Sequence, residues 1–229
     1  FCCVVYVVLG DMVVGALFGW GAFDNNDVIA VWFGLGAYSL GLPAVGVSRI
    51  YQNALSSRGN TGGPARVAAV RMLVAAGLGL GLMFPFDQLS IVGGSLVGGN
   101  HLFDSWGPLS ASVRLADGFP HLGAVGLAIG SAVGAWVELV LLARQVQLTF
   151  DGFPRPRSVL VPLLPAAVST GLVCVIVRLL VDDLPVHIAV SLALMAATIT
   201  YLWTGVRFGI KEVRTACSVS YTHLTLPTN

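Results

Sequence analysis

Asp11 and Arg71 are the residues best placed to do chemistry, because each sits inside a long apolar run. A central charge in a bilayer costs at least about 2.5–3.5 kcal/mol on insertion scales, so an ionisable residue kept there is a functional candidate. Asp11 lies about eight residues before the end of its run, roughly 12 Å at the helical rise, which is close to mid-membrane. Arg71 lies about six residues, roughly 9 Å, inside the opposite edge of its run, where its long stem can still snorkel. Arg49 and Glu138 fall nearer span ends, and Arg178 has Asp182 four residues on as a helical partner. The chemistry open to such groups is pairing, gating and carrying charge in a polar cavity. Bond-making motifs are absent: there is no GxSxG, no HExxH, no Walker loop and no pair of histidines at ligand spacing. The chain therefore reads as a non-enzyme with no cofactor and no metal. His101, His121 and His187 read as surface residues in or beside loops, and Gly93, Gly94, Gly98 and Gly99, with no strand expected before them, do not make a phosphate cradle.

The elements that must position these charges follow from composition. Of 229 residues, 56% are hydrophobic and 10% charged, against roughly 25% charged in an ordinary soluble domain. A mean hydropathy of +0.85 points to lipid rather than water. The 12 Lys and Arg nearly balance the 11 Asp and Glu, which leaves no excess positive charge for a phosphate backbone and excludes nucleic acid as a partner. Cys2, Cys3, Cys174 and Cys217 form no CxxC pair or disulfide framework and read as apolar fillers.

Long, continuously apolar runs at 1–18, 28–51, 65–84, 122–142, 159–181 and 186–206 predict an all-α integral membrane protein of about six transmembrane helices, since barrel strands would show short alternating segments. Pro43 is expected to kink the second span. Gly126, Gly130 and Gly134, and Gly77 with Gly81, recur every four residues as helix packing in lipid favours. Basic residues sort onto alternate connections: Arg58 and Arg66; Arg144, Arg155 and Arg157; Arg207, Lys211 and Arg214, with Arg114 the exception. By the positive-inside rule these connections, and the tail, face the cytoplasm. The connection 87–121 reads as a polar or partly re-entrant outer loop. The chain begins at Phe1 inside an apolar run and reads as a fragment cut within a helix; residues 218–229 (SVSYTHLTLPTN) resemble a translated sequencing adapter and are set aside, leaving 1–217 as the transmembrane region.

Three stretches resemble the MviN/MurJ family of lipid II flippases, within the multidrug/oligosaccharidyl-lipid/polysaccharide exporter superfamily. They are LGDMVVGALFGWGAF (Leu9 to Phe23), AYSLGLPAVGVSRIYQNALSSRGNTGGPARVA (Ala37 to Ala68) and LGAVGLAIGSAVGAWVELVLL (Leu122 to Leu142). The second is similar to the family's AYxLGLP followed by a basic residue and an RGDTxTPxR turn. The resemblance implies that Asp11 is the usual acidic residue, Arg49 the basic residue of the helix and Arg58 the turn arginine, and that the chain is the C-terminal part of a fourteen-helix protein. Asn60 stands for the usual Asp, Glu138 where Asn is common, and Gly79 where the family often has Asn, which sets this chain apart at any cation site. The arginines that grip substrate in the family lie in the N-terminal lobe and in the helix before Phe1.

The function so implied is translocation of undecaprenyl-linked peptidoglycan precursor, lipid II, across the bacterial cytoplasmic membrane by alternating access between two lobes. The implied partners are lipid II, membrane lipid and the N-terminal lobe, with Asp11, Arg49, Arg58 and Arg71 as transport residues and Val159 to Val206 as a groove for the lipid tail. The alternatives are a polysaccharide or drug exporter of the same superfamily and a membrane enzyme on lipid-linked sugars, for which only Asp182, Asp183 and His187 offer a polar group. A cysteine placed in Gly21 to Asp27 or at Asp182 should react with an impermeant thiol reagent added outside cells, and one at Asn60 should not; the reverse pattern would invert the topology.

Overall fold

The computed structural model describes residues 1–98, 107, 118–181 and 183–208. Eight α-helices dominate the described chain: α1 Cys2–Phe18, α2 Asn25–Ser39, α3 Leu42–Ser57, α4 Gly62–Asp87, α5 Gly123–Thr149, α6 Pro156–Leu160, α7 Leu164–Leu180 and α8 Val186–Arg207. A short 3-10 turn, Val161–Leu163, joins α6 to α7. Asn25–Ser57, α4, α5, Pro156–Leu180 and α8 are long and apolar enough to cross a membrane, and α1 is a shorter apolar helix. The protein is an all-α, multi-pass integral membrane protein. Large apolar side chains such as Met72, Leu73, Leu148, Leu179 and Leu180 are exposed, as they must be on a surface that meets lipid tails.

The second apolar run departs from expectation. It is not one kinked helix but two, broken at Leu40 and Gly41, with Pro43 in the first turn of α3. There its missing N–H belongs to a position with no intrahelical acceptor, so proline starts a helix rather than bending one. The indole Nε1 of Trp136 on α5 donates to the Leu40 carbonyl at 3.0 Å, satisfying an acceptor that the break sets free. Upstream, α2 is opened by a reciprocal cap: Asp24 Oδ1 accepts from the Asp27 N–H at 2.9 Å and Asp27 Oδ2 from the Asp24 N–H at 3.1 Å.

The helices α4 and α5 pack most closely, and glycine permits it. A Cβ on Gly126 would meet the Leu82 carbonyl at 2.6 Å, and one on Gly130 would fall on the backbone of Gly79. On α4 the glycine in this contact is Gly79; Gly77, expected there, takes no part, since a Cβ on it would meet nothing within 4 Å. The core beside this seam joins Val47, Tyr51 and Leu55 of α3 to Leu139, Leu142 and Val146 of α5. A second core joins Val5 and Leu9 of α1 to Cys174 of α7 and Ala193 and Ala197 of α8. Between the two, α1 lies against α2, where Gly10 leaves room for the ring of Trp32 and the Trp32 indole donates to the Tyr6 carbonyl at 3.1 Å.

The connection after α4 contains a hairpin that composition alone had not indicated. Strands β1 Ser90–Val92 and β2 Ser95–Val97 pair antiparallel around Gly93 and Gly94, both with positive φ, as a tight two-residue turn requires. So a strand does precede these glycines, contrary to expectation, and their role is the turn. His121 is likewise not a surface residue: its Nδ1 lies 2.9 Å from the Asp87 carbonyl and its Nε2 is buried. His187 is exposed and stacks on Trp20. The expectations for Gly99, His101, Arg114, Asp182, Lys211, Arg214, Cys217 and the segment 218–229 lie outside the described residues.

The glycine seam makes a sharp prediction. Gly130→Ala should lower stability by about 1–3 kcal/mol, the usual cost of overpacking, whereas Gly77→Ala should leave it unchanged or raise it by up to about 1 kcal/mol through helix propensity. Thermal unfolding of the two variants in detergent checks the contrast.

Candidate functional site

Two ion pairs carry the intramembrane charge, and they divide the residues differently from the sequence expectation. Glu138, on α5 and among the largest fully buried side chains, has 2% of its side chain exposed and receives Arg71 Nη1 of α4 at 2.7 Å on Oε2. Its other oxygen, Oε1, accepts from Gln52 Nε2 of α3 at 2.7 Å. Three helices are thus joined through one carboxylate, with each oxygen engaged by a separate donor. Arg71, its side chain 27% exposed, borders a small cleft of about 10 Å³ together with Tyr38, Gly41, Leu42, Ser131 and Ala135. That cleft lies at the break between α2 and α3, where the chain departs from a continuous helix.

The second pair joins α1 to α7. Arg178 grips Asp11 with both terminal nitrogens, Nη1 to Oδ1 at 3.0 Å and Nη2 to Oδ2 at 2.6 Å, and Nη1 also donates to the Val8 carbonyl at 3.0 Å. This fork-to-fork geometry is the one for which guanidinium and carboxylate are matched. Asp11 retains 19% exposure and Arg178 40%, so this pair is wetter than the first. Asp11 and Arg71 do not pair with each other: α4 packs on α5 and its arginine finds Glu138, while Arg178 reaches across from α7 to Asp11 of α1 in a bidentate contact that suits its fork.

The remaining candidates sit at the other end of α3. Arg49 is exposed on α3. Arg58, the turn arginine, donates from Nη1 to the Thr149 carbonyl at 3.1 Å, and its guanidinium lies 4.3 Å from the centre of the Phe150 ring. It therefore caps the last turn of α5 with a charge of the sign that a helix C-terminus favours. In the same turn, Asn60 Oδ1 accepts from the Gly63 N–H at 3.0 Å, so the amide opens α4 as a carboxylate would. Tyr51 closes this end by donating to the Pro154 carbonyl at 2.8 Å.

Asp11 and Arg71 were legible as charges within apolar runs; Glu138 and Arg178 were visible as charges but given less weight, and Gln52 was missed. The available signal was that an unpaired intramembrane charge is untenable, so each of Asp11 and Arg71 demanded an opposite charge on another span. Among the described residues no group of three or more His, Cys, Asp or Glu is placed to hold a metal ion.

Residues 1–102 match the family model described as lipid II flippase MurJ. That stretch contains Asp11, Arg49, Arg58 and Arg71 and two of the three segments on which the resemblance rests; Leu122 to Leu142 lies beyond it. No curated protein matches the chain.

The Glu138 contact should behave as a buried pair. Arg71→Met strands a carboxylate and should cost about 3–5 kcal/mol, while Arg71→Met combined with Glu138→Leu should recover most of that loss. A double-mutant cycle read by chemical or thermal unfolding measures the difference.

Proposed function

We propose that this chain is the C-terminal transmembrane region of a lipid II flippase, which moves an undecaprenyl-linked peptidoglycan precursor between the leaflets of the bacterial cytoplasmic membrane. The observation that carries the reading is the family match over residues 1–102, which spans α1 to α4 together with the hairpin. The matched family is one of transporters, and the chain's polar chemistry supports transport: its deep charges are paired across helices rather than clustered around a reacting centre. In this reading the chain forms one rocking lobe, the tail is cytoplasmic, and α7 and α8 flank the lipid tail. The headgroup is gripped mainly by a partner lobe preceding these helices, because Asp11 with Arg178 and Glu138 with Arg71 already neutralise one another. Asp11 and Arg71 act by setting helix contacts that shift during the cycle; Arg58 and Arg49 hold the cytoplasmic turn and its orientation.

The experiment is complementation of a flippase-depleted bacterium by the complete gene, with translocation measured per molecule of protein. Wild type should restore growth, and Asp11→Asn should reduce translocation more than abundance, because the loss of one charge leaves Arg178 unbalanced at depth. Failure of the wild-type gene to restore growth would overturn the reading. Equal translocation per molecule for Asp11→Asn would reduce the pair to a structural contact.

A further inference from the structure

We propose that the cleft at the break between α2 and α3 binds one ordered water molecule, held by Arg71 of α4 and Ser131 of α5, and that this water joins the break to the α4–α5 seam. Size and lining agree. The cleft measures about 10 Å³, which is about one water and too little for a lipid headgroup or another side chain. Residues of four helices border it: Tyr38 of α2, Leu42 of α3, Arg71 of α4 and Ser131 of α5.

Arg71 supplies the first partner. A guanidinium carries several N–H donors, and Arg71 spends one on Glu138 Oε2 with no further acceptor among the described residues. Glu138 has committed its second oxygen to Gln52. With only 27% of the Arg71 side chain exposed, its remaining donors need an acceptor close at hand, since hydrocarbon offers none. The cleft beside it is where one fits.

Ser131 supplies the second. Hydroxyls elsewhere in these helices turn back on their own backbone, Thr170 to the Ala166 carbonyl, Thr198 to that of Leu194 and Thr204 to that of Thr200, which satisfies a hydroxyl within the helix itself. Ser131, half-buried at the cleft, makes no such bond among the described residues. A water between the two completes both, accepting from Arg71 and donating to Ser131 Oγ. The start of α3 adds a donor to the same space. It has no side-chain cap, and Pro43 brings no N–H, so the N–H of Leu42, at the border of the cleft, is left to an outside acceptor.

Charge decides between water and a small anion, which the same donors would also attract. Arg71 and Glu138 are neutral as a pair, so an added anion would leave a net negative charge at membrane depth, where charge is penalised. Water satisfies the donors and adds no charge. Its role is positioning: it holds the Arg71 fork in place on Glu138 and fastens the first turn of α3 to α4 and α5.

The site does not depend on the flippase reading, and its readouts are density and labelling rather than transport. In a density map of the full chain that shows ordered waters elsewhere, a peak should lie within hydrogen-bond distance of both the Arg71 guanidinium and Ser131 Oγ; no peak there would overturn the proposal. Crystals grown in bromide should show no anomalous signal at that position, and a signal would replace the water by an anion. X-ray radiolytic labelling read by mass spectrometry is the second measure, because hydroxyl radicals formed from a bound water oxidise the side chains beside it. Leu42 and Val45, which border the cleft, should be labelled several-fold faster than Leu82 and Leu141, which are likewise half-buried. Ser131→Val removes the hydroxyl and fills the space, so it should bring Leu42 and Val45 down to the rate of those controls. Equal rates in wild type, or rates that Ser131→Val leaves unmoved, would count against the site; should that variant not fold, the wild-type ratio and the map decide alone.

Discussion

A charge inside a bilayer has no water to neutralise it, and this constraint decides which helices of the protein meet. Glu138 cannot sit buried on α5 unless a donor reaches it, so α4 must present Arg71 and α3 must present Gln52 at the same level. Asp11 imposes the same demand on α1, and α7 answers it with Arg178. Each pair is neutral as a unit, which turns a penalty of several kcal/mol per ion into a fixed point of assembly. Hydrophobicity cannot supply such fixed points, because lipid tails are as apolar as the leucines that line the helices. The polar contacts set which helices pair and at what height, and the small residues then set how closely they approach.

That division of labour explains why the glycines cluster where they do. Helix α5 carries Glu138 and must lie against α4 for Arg71 to reach it, so glycine recurs along the α5 face that meets α4, from Gly126 through Gly130 to Gly134. Methyl groups there would separate the helices and lengthen the 2.7 Å contact that the carboxylate requires. On the far side of the bundle the packing is looser in kind: alanines of α8 and Cys174 of α7 close on Val5 and Leu9, and the accompanying ion pair remains partly exposed.

Much of this was legible in the sequence, and the gaps have physical causes. The long apolar runs and the charges Asp11 and Arg71 within them follow from composition and one-dimensional spacing, and Leu9 to Phe23 and Ala37 to Ala68 carry the family resemblance; at Pro43 spacing pointed to a kink where the chain breaks into two helices. What spacing cannot give is rotation about a helix axis. Whether Gly77 or Gly79 faces α5 differs by two residues, about 200° around a helix, and a run of apolar neighbours offers no cue to choose. The same blindness hid the partners of Asp11 and Arg71, since several spans each supply one opposite charge. Gln52 escaped because an amide in an apolar helix carries no charge to notice. The hairpin at Ser90 to Val97 escaped because three-residue strands are too short for a period to register.

The two ion pairs also differ in what they can do. The Glu138 pair ties three helices that share a continuous core, so breaking it changes a local contact without freeing a whole element. The Asp11 pair has a different mechanical setting: α7 and α8 meet the rest of the described chain chiefly through α1, and Asp11 and Arg178 are the charged clasp on that boundary. The stacked rings of Trp20 and His187 lie at one end of the same boundary, and the tilted pair of Phe1 and Tyr201 at the other. The hairpin of α7 and α8 is held to α1 by one neutral pair, aromatic contacts and small apolar side chains, without the close backbone approach that joins α4 to α5. The chain therefore combines a bundle joined by close backbone approach around a buried ion pair with a hairpin held to α1 through side chains, its ion pair the more exposed of the two. Helix α1 belongs to both, lying against α2 through Gly10 and Trp32 and meeting Arg178 through Asp11 and the Val8 carbonyl.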